Sequence, residues 1–95
     1  MKMLLIVADA ARLEPIRRDL SELNVAGYSV LPMLEGAGRT GLHAGDRAHP
    51  GALVTMFVVA AEDTAVALFD ALVRRRDTAG DTITRLFLLP VERQA

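Results

Sequence analysis

The sequence divides into apolar runs of strand length and segments of helical periodicity, and their order limits the possible folds. Two runs, MLLIVA (3–8) and ALVTMFVVAA (52–61), are apolar at nearly every position, whereas YSVLPML (28–34) and TITRLFLLPV (82–91) are interrupted by polar residues or proline. Apolar runs of this length that are rich in β-branched residues predict strands. Because Pro32 has no backbone N–H to donate, we expect the strand at 28–34 to lie at a sheet edge.

The segments between these runs predict two helices. In the first, leucine and isoleucine recur at helical spacing, at Leu13, Ile16, Leu20 and Leu23. This helix should begin near Leu13, since proline fits only the first helical turn and Pro15 follows two residues later. The second helix, over 62–77, has an apolar face made of Ala65, Leu68, Phe69, Leu72 and Val73. Acidic residues at its start and arginines at its end suit the helix dipole.

The resulting order, β-α-β-β-α-β, is that of the ferredoxin-like split βαβ unit. The predicted fold class is therefore α+β, with a four-stranded antiparallel sheet and two helices on one of its faces. In this arrangement the first and third strands are central, which agrees with their continuous apolar character. The 95 residues are expected to form a single domain over 1–95.

The central strands are apolar on both faces, although two helices cover only one face of such a sheet. Alternate residues of a strand point to opposite faces, and in 3–8 and 52–61 both sets are apolar, with Thr55 as the exception. Monomers rarely expose an apolar face of this size. We therefore expect the sheet to pack against copies of itself. The alternative is that the tail or the glycine-rich loop folds under the sheet.

Composition and charge exclude several classes of protein. Without cysteine the chain has no disulfide framework, zinc–thiolate site or cysteine nucleophile. The 11 basic and 12 acidic residues give a net charge of −1, which argues against a nucleic-acid binder. The longest apolar run is about half the length of a membrane-spanning helix, and the start lacks a signal-peptide pattern. We expect a cytoplasmic protein that does not insert into a membrane.

Residues 34–51, LEGAGRTGLHAGDRAHPG, are the most polar stretch of the chain and contain five of its seven glycines. Gly36, Gly38 and Gly41 permit positive φ and close backbone approach, so that successive N–H groups are able to line an anion. Arg39 between them would add a bidentate positive charge. The Rossmann fingerprint is not matched, since it requires a helix after the glycines. The alternative is a glycine-rich loop that only connects two strands.

At three places the sequence resembles the PII-type signalling proteins, trimers with the same order of strands and helices. GYSVLPMLEGAGRTG (27–41) is similar to the second strand and the base of the family's long T-loop, with GAGR (36–39) matching its G-x-G-R signature. AGD (79–81) resembles the start of the loop before the last strand, and LFLLPVE (86–92) resembles the final strand and its exit. The short, divergent PII-like proteins are the most similar branch.

The resemblance implies a non-enzymatic regulatory homotrimer that binds a small effector in clefts between subunits. The effector would be an adenine nucleotide, ATP, ADP or AMP, and no cofactor is required. The loop 36–51 would change shape with occupancy and dock on a target protein, an enzyme or a membrane transporter. The implied ligand-binding residues are Gly36, Gly38, Arg39, Thr40 and Gly41 near the nucleotide, with Gly80 and Asp81 on the phosphate side.

Two departures from the family pattern bear on the ligand. Thr40 stands where the nitrogen regulators have a glutamine that helps to hold Mg²⁺ and 2-oxoglutarate, which argues against sensing of that metabolite. After 80–81 the family continues with a glycine and a phosphate-binding lysine, whereas Thr82 and Ile83 follow here. Arg85 is the candidate to replace that lysine.

A second hypothesis concerns metal binding. His43 and His49, with Asp46 between them, offer ligands for a divalent ion, and a trimer axis would bring the copies of each histidine together. This would connect the chain with the CutA-like trimers of the same fold, which are linked to divalent-metal tolerance. The simpler interpretation is that these are polar loop residues.

The remaining polar residues offer one more candidate site and no catalytic one. Arg74, Arg75 and Arg76 are either a phosphate clamp at a subunit cleft or a solvated helix end. We do not expect catalysis, because no serine has a nucleophile context and no histidine is predicted beside a carboxylate in a pocket. Asp9 is expected to cap the first helix.

Overall fold

The structure, a computed structural model, describes residues 1–32, 35–38, 41–44 and 52–95. A short 3-10 turn, Ala10–Arg12, precedes the first helix. The strands and helices, in chain order, are β1 (Lys2–Asp9), α1 (Leu13–Glu22), β2 (Ser29–Pro32), β3 (Glu35–Gly38), β4 (Gly41–Ala44), β5 (Leu53–Ala60), α2 (Glu62–Thr78) and β6 (Arg85–Pro90). Within these ranges, neither α1 nor α2 combines the length and the apolar character needed to cross a lipid bilayer.

Four of the strands form one antiparallel sheet in the order β2-β5-β1-β6. β1 and β5 are central, as their apolar character predicted, and β2, which contains Pro32, is at an edge. The register is continuous across the centre of the sheet, where Leu5 lies opposite Phe57 on one side and Phe87 on the other. The predicted α+β architecture with β-α-β-β-α-β order is confirmed.

The glycine-rich stretch contains a second, two-stranded sheet that the sequence analysis did not predict. β3 pairs antiparallel with β4, so that Gly36 lies opposite His43 and Gly38 opposite Gly41. The predicted long loop over 36–51 therefore includes strand residues at 36–38 and 41–44. Glycine is depleted in strands, which is why its frequency here indicated a loop. Residues 39–40 and 45–51 lie outside the described residues.

The core lies between the sheet and the two helices. α1 contributes Ile16 and Leu20, whereas α2 contributes Ala65, Leu68 and Leu72. The sheet contributes alternate residues of its central strands, namely Leu4, Ile6, Ala8, Val54, Met56 and Val58. The helical spacing of apolar residues in the sequence therefore corresponds to the buried faces of both helices.

The other face of the sheet, which we call the bare face, is not covered by a helix. Along β1 and β5, buried residues alternate with residues that are partly or fully exposed. The most exposed apolar side chains on the bare face are at its two edges, Leu31 at 53% and Phe87 at 49%. Residues 92–95 of the tail are themselves exposed, which argues against the tail as the cover of this face.

Two boundaries differ from the predictions because aspartates bind nearby backbone. β6 begins at Arg85 and not at Thr82, since Asp81 accepts hydrogen bonds from the N–H groups of Ile83 and Thr84 and so holds them in a turn. Asp9 was predicted to cap the first helix. It caps the preceding 3-10 turn, where the N–H of Ala11 donates to its Oδ1 at 2.8 Å.

Candidate functional site

The predicted site residues of the described ranges fall into two groups. The first group lies on the two-stranded sheet, where Gly36 and Gly38 belong to β3 and Gly41 belongs to β4. Arg39 and Thr40, which were predicted to contact the effector, lie outside the described residues. The backbone of this group is paired between the two strands.

The second group lies between α2 and β6, in a turn over residues 79–84 that we call the Asp81 turn. Gly80 adopts a positive φ of 70°, a left-handed conformation that favours glycine, and it ends α2. The N–H of Gly80 donates to the carbonyl oxygen of Asp77, and that of Asp81 to the carbonyl oxygen of Arg76. Gly80 is therefore required by the helix end itself, independently of any ligand.

The carboxylate of Asp81 is surrounded by donors from its own chain. Its Oδ1 accepts the N–H groups of Ile83 at 2.9 Å and of Thr84 at 3.0 Å, and its Oδ2 accepts the hydroxyl of Thr84. The Nε of Arg12 lies 3.3 Å from Oδ2. The side chain is only 6% exposed. Asp81 thus links α1 to β6 through the turn.

Opposing influences set the pKa of Asp81. Burial acts to raise it, but the hydrogen bonds from Thr84 and Ile83, together with the charge of Arg12, hold the pKa below its ordinary value of 3.8. The carboxylate is therefore ionised at neutral pH, with its charge balanced by a guanidinium.

The hydrogen bonds within the Asp81 turn limit the number of backbone N–H groups that are free to bind an anion. Five of its N–H groups, those of Ala79, Gly80, Asp81, Ile83 and Thr84, donate to acceptors within the chain. Among the described residues, the N–H of Thr82 has no such acceptor. An anion at this turn would therefore meet Thr82 and side chains, and not a row of open backbone donors.

Arg85, predicted to replace a phosphate-binding lysine, is the first residue of β6. Its Nη1 lies 3.1 Å from the carbonyl oxygen of Thr82, 3.4 Å from that of Ile83 and 3.2 Å from that of Thr84. The guanidinium is thus folded back on the Asp81 turn, although the residue as a whole is exposed.

The sheet register locates the ends of the two strands that adjoin these groups in the chain. Pro32, where β2 leads towards β3, pairs with Val54, which in turn pairs with Ala8. Arg85, where β6 leaves the Asp81 turn, pairs with Val7. Both exits are therefore at the same end of the sheet but at opposite edges. With two strands between them, they are roughly 14 Å apart at the usual strand spacing.

The run Arg74–Arg76 does not act as one clamp. Arg75 donates to Asp19 at 2.8 Å and also to Glu22, so it joins the two helices and its pKa is raised by these hydrogen bonds. Arg76 contacts Asp77 at 3.0 Å. Arg74 is exposed, and the described part of the chain provides no carboxylate within ion-pair distance of it.

The described residues line two open clefts. One, of about 550 Å³, lies between α1 and α2 and is lined by four arginines and Asp19, among others. The other, of about 640 Å³, lies between the α1–β2 connection and α2 and is mainly apolar. Of the described residues that the resemblance assigned to the effector, none lines either cleft, whereas Arg74 and Arg75 of the candidate phosphate clamp line the first. Arg12, which lines the first, was missed by the sequence analysis, because nothing in the sequence connects it with Asp81.

One of the two histidines of the metal hypothesis lies in a described strand. His43 is on β4, opposite Gly36, and His49 lies outside the described residues. Within the described ranges, no three histidine, aspartate or glutamate side chains are grouped closely enough to hold a metal ion.

Comparison with known proteins agrees with the fold and the resemblance. The chain is similar over most of its length to CPII, a nitrogen regulatory PII-like protein from Thiomonas intermedia that was solved with ADP, AMP and bicarbonate. The TM-score is 0.68 at 20% identity, covering 93% of this chain and 88% of that one. A DUF3240-family protein from Shewanella baltica matches with a TM-score of 0.73 at 18% identity, covering 99% and 92%.

Sequence comparison, in addition to structural comparison, identifies the family of this chain. No curated protein matches the chain. The sequence model of the nitrogen regulatory protein P-II family, in contrast, matches residues 1–94, nearly the whole chain. With the same strand and helix order in the structure, the chain belongs to the nitrogen regulatory protein P-II family.

Proposed function

We propose that this protein is a non-enzymatic regulatory homotrimer that binds an adenine nucleotide in clefts between its subunits. In this proposal the loop 36–51 senses whether the cleft is occupied and relays this to a target protein, an enzyme or a membrane transporter. The relay would begin at the two-stranded sheet of β3 and β4, which continues from edge strand β2.

The observation that supports this proposal best is the position of the two strands next to the predicted site residues. β2, which precedes the first group in the chain, and β6, which follows the Asp81 turn, are at opposite edges of the sheet, with β5 and β1 between them. A nucleotide that touches both groups therefore needs the β2 edge of one subunit beside the β6 edge of another. Cyclic packing through the bare face would bring such edges together and would also bury its apolar side chains.

The ligand is inferred from the chemistry of the residues and from the solved relatives. CPII was solved with ADP, AMP and bicarbonate, and in another structure with ADP and bicarbonate. Adenine nucleotides fit a site with glycines on one side and arginines on both sides. Arg39 follows Gly38, while Arg12 and Arg85 adjoin the Asp81 turn. Bicarbonate is a second anion to test.

The proposal is tested by calorimetric titration of the purified protein with ATP, ADP and AMP, each with and without Mg²⁺ and bicarbonate. We expect saturable binding of at least one nucleotide, which Arg39→Ala should weaken at least tenfold because a phosphate would lose a bidentate partner. Arg47→Ala, in the same polar stretch but outside the glycine motif, is the control and should bind normally.

Two further measurements complete this test. Light scattering should give the mass of three subunits, and chromatography should recover the bound nucleotide unhydrolysed. A protein that scatters as one subunit and gives no heat with any nucleotide would contradict the proposal.

A further inference from the structure

The ion pair between Arg12 and Asp81 joins the start of α1 to the turn before β6, 69 positions later in the chain. Resting on the proposed function, we propose that Arg12 and Asp81 are positioning residues of the nucleotide site, which do not touch the nucleotide. They would hold the Asp81 turn in one conformation and keep the charge of its carboxylate balanced beside the phosphates.

The geometry assigns the carboxylate to its own chain and not to a ligand. Both oxygens of Asp81 already accept hydrogen bonds, from Ile83 and from the N–H and hydroxyl of Thr84. Thr84 is 3% exposed, and the Asp81 side chain is 6% exposed. Little of the carboxylate surface remains for a ligand, so its effect on a nucleotide would act through the turn and through its charge.

The negative charge of the Asp81 carboxylate makes a compensating cation, Arg12, necessary beside bound phosphates. A carboxylate beside a phosphate site repels the phosphates unless a cation compensates for it. Arg12 lies 3.3 Å from Oδ2, close enough for charge compensation, although its Nε does not have the alignment of a hydrogen bond. Arg12 also lies outside the motifs that carry the family resemblance, which fall at 27–41, 79–81 and 86–92.

Two substitutions separate the effect of the Asp81 charge from the effect of the Asp81 hydrogen bonds on the conformation of the turn. Asp81→Asn keeps an oxygen at Oδ1 for the two N–H groups but removes the charge. Asp81→Ala removes both. Amide hydrogen exchange without nucleotide should therefore be slow at Ile83 and Thr84 in the native protein and in Asp81→Asn, and at least tenfold faster in Asp81→Ala. Equal exchange rates in all three proteins would overturn the positioning role.

Titration with ATP and with AMP, which carry different phosphate charges, tests whether Arg12 compensates for the charge of Asp81. Arg12→Gln leaves the carboxylate uncompensated, so affinity should fall by about fivefold for ATP and by about twofold for AMP, the range expected for one partly exposed ion pair. The double variant Arg12→Gln with Asp81→Asn is neutral at both positions and should recover most of the ATP affinity. A merely structural role of Arg12 would lower the affinity for both nucleotides equally and would not be recovered.

A matched control lies on α1, the helix that Arg12 precedes. Arg17→Gln removes a guanidinium that pairs with Glu14 at 3.0 Å on the surface of α1, so it changes the net charge by the same amount. Its nucleotide affinities should match those of the native protein. If the native protein binds nucleotide but Arg12→Gln behaves like Arg17→Gln, this inference alone fails. If the native protein binds no nucleotide, the proposed function fails and this inference falls with it.

Discussion

Two aspartates show how single residues determine local structure in this chain. Asp9 and Asp81 each accept the N–H of the residue two positions later, Ala11 in one case and Ile83 in the other. Short acidic side chains do this readily because they reach the backbone of the following turn. A capping role was predicted for Asp9 from the sequence, although for α1 and not for the 3-10 turn that it caps. Asp81 was assigned to a ligand by resemblance, and its contacts with Arg12 and Thr84 were not predicted.

The contacts of Asp81 predict how stability depends on pH. Because its pKa in the folded protein is below 3.8, the ionised carboxylate stabilises the fold at higher pH. This contribution is complete above the pKa of the unfolded chain and is lost as pH falls through the lower, folded value. Urea denaturation should therefore show native protein and Asp81→Asn differing by a constant free energy at neutral pH. The difference should shrink below about pH 4.

Arg12 provides an internal check on that prediction. In Arg12→Gln the guanidinium no longer lowers the pKa of Asp81, so its folded pKa lies closer to that of the unfolded chain. The acid-induced loss of stability should therefore be smaller than in the native protein and should be complete at a higher pH. If Arg12→Gln and native protein lose stability in parallel, the ion pair does not contribute to the pKa.

At the scale of the elements, the helices and strands with a periodic apolar face were predicted from the sequence. The strand pair that is formed by backbone pairing of glycine-rich segments was not. Both helices and the four strands of the main sheet followed from apolar spacing, since burial of a repeated face is visible in a single sequence. The pairing of β3 with β4 was missed, because its glycines have no side chains from which a strand pattern can be read. The division of the predicted site into two edges was also missed, because it depends on strand order and not on any segment alone.

The packing of α1 on the sheet predicts a large effect of a single core residue. Leu20 is fully buried, so Leu20→Ala should leave a cavity and lower the free energy of unfolding by about 3 kcal/mol. Val66 is an apolar residue of α2 that is 39% exposed, and Val66→Ala should change stability by less than about 0.5 kcal/mol. Urea unfolding followed by circular dichroism measures both. Equal losses would mean that α1 does not pack as described.

For the whole molecule, the apolar character of both faces of the central strands is the property with the widest consequences. One face is accounted for by the helices and the core, whereas the bare face in a single subunit still exposes large side chains such as Leu31, Val59, Phe87 and Leu89. A sheet that faced only water would alternate apolar with polar residues. This chain does not alternate, so the proposed trimer explains a feature of the sequence that the single subunit leaves without a role.

The bare face therefore predicts which substitutions separate the subunits. Phe87 is on β6, opposite Leu5, and a carboxylate in its place would lose its hydration without a partner if the face is buried between copies. Phe87→Glu should thus reduce the mass measured by light scattering at micromolar concentration to that of one subunit, while circular dichroism remains that of a folded chain. Val66→Glu, on the outer surface of α2, adds the same charge to a residue of similar exposure and should leave the mass unchanged.

If Phe87→Glu also keeps the native mass, and Leu31→Glu at the opposite edge does the same, then copies of the chain do not meet through this face. The two strands that adjoin the predicted site residues, β2 and β6, would then not be brought together, because one subunit holds them at opposite edges of its sheet.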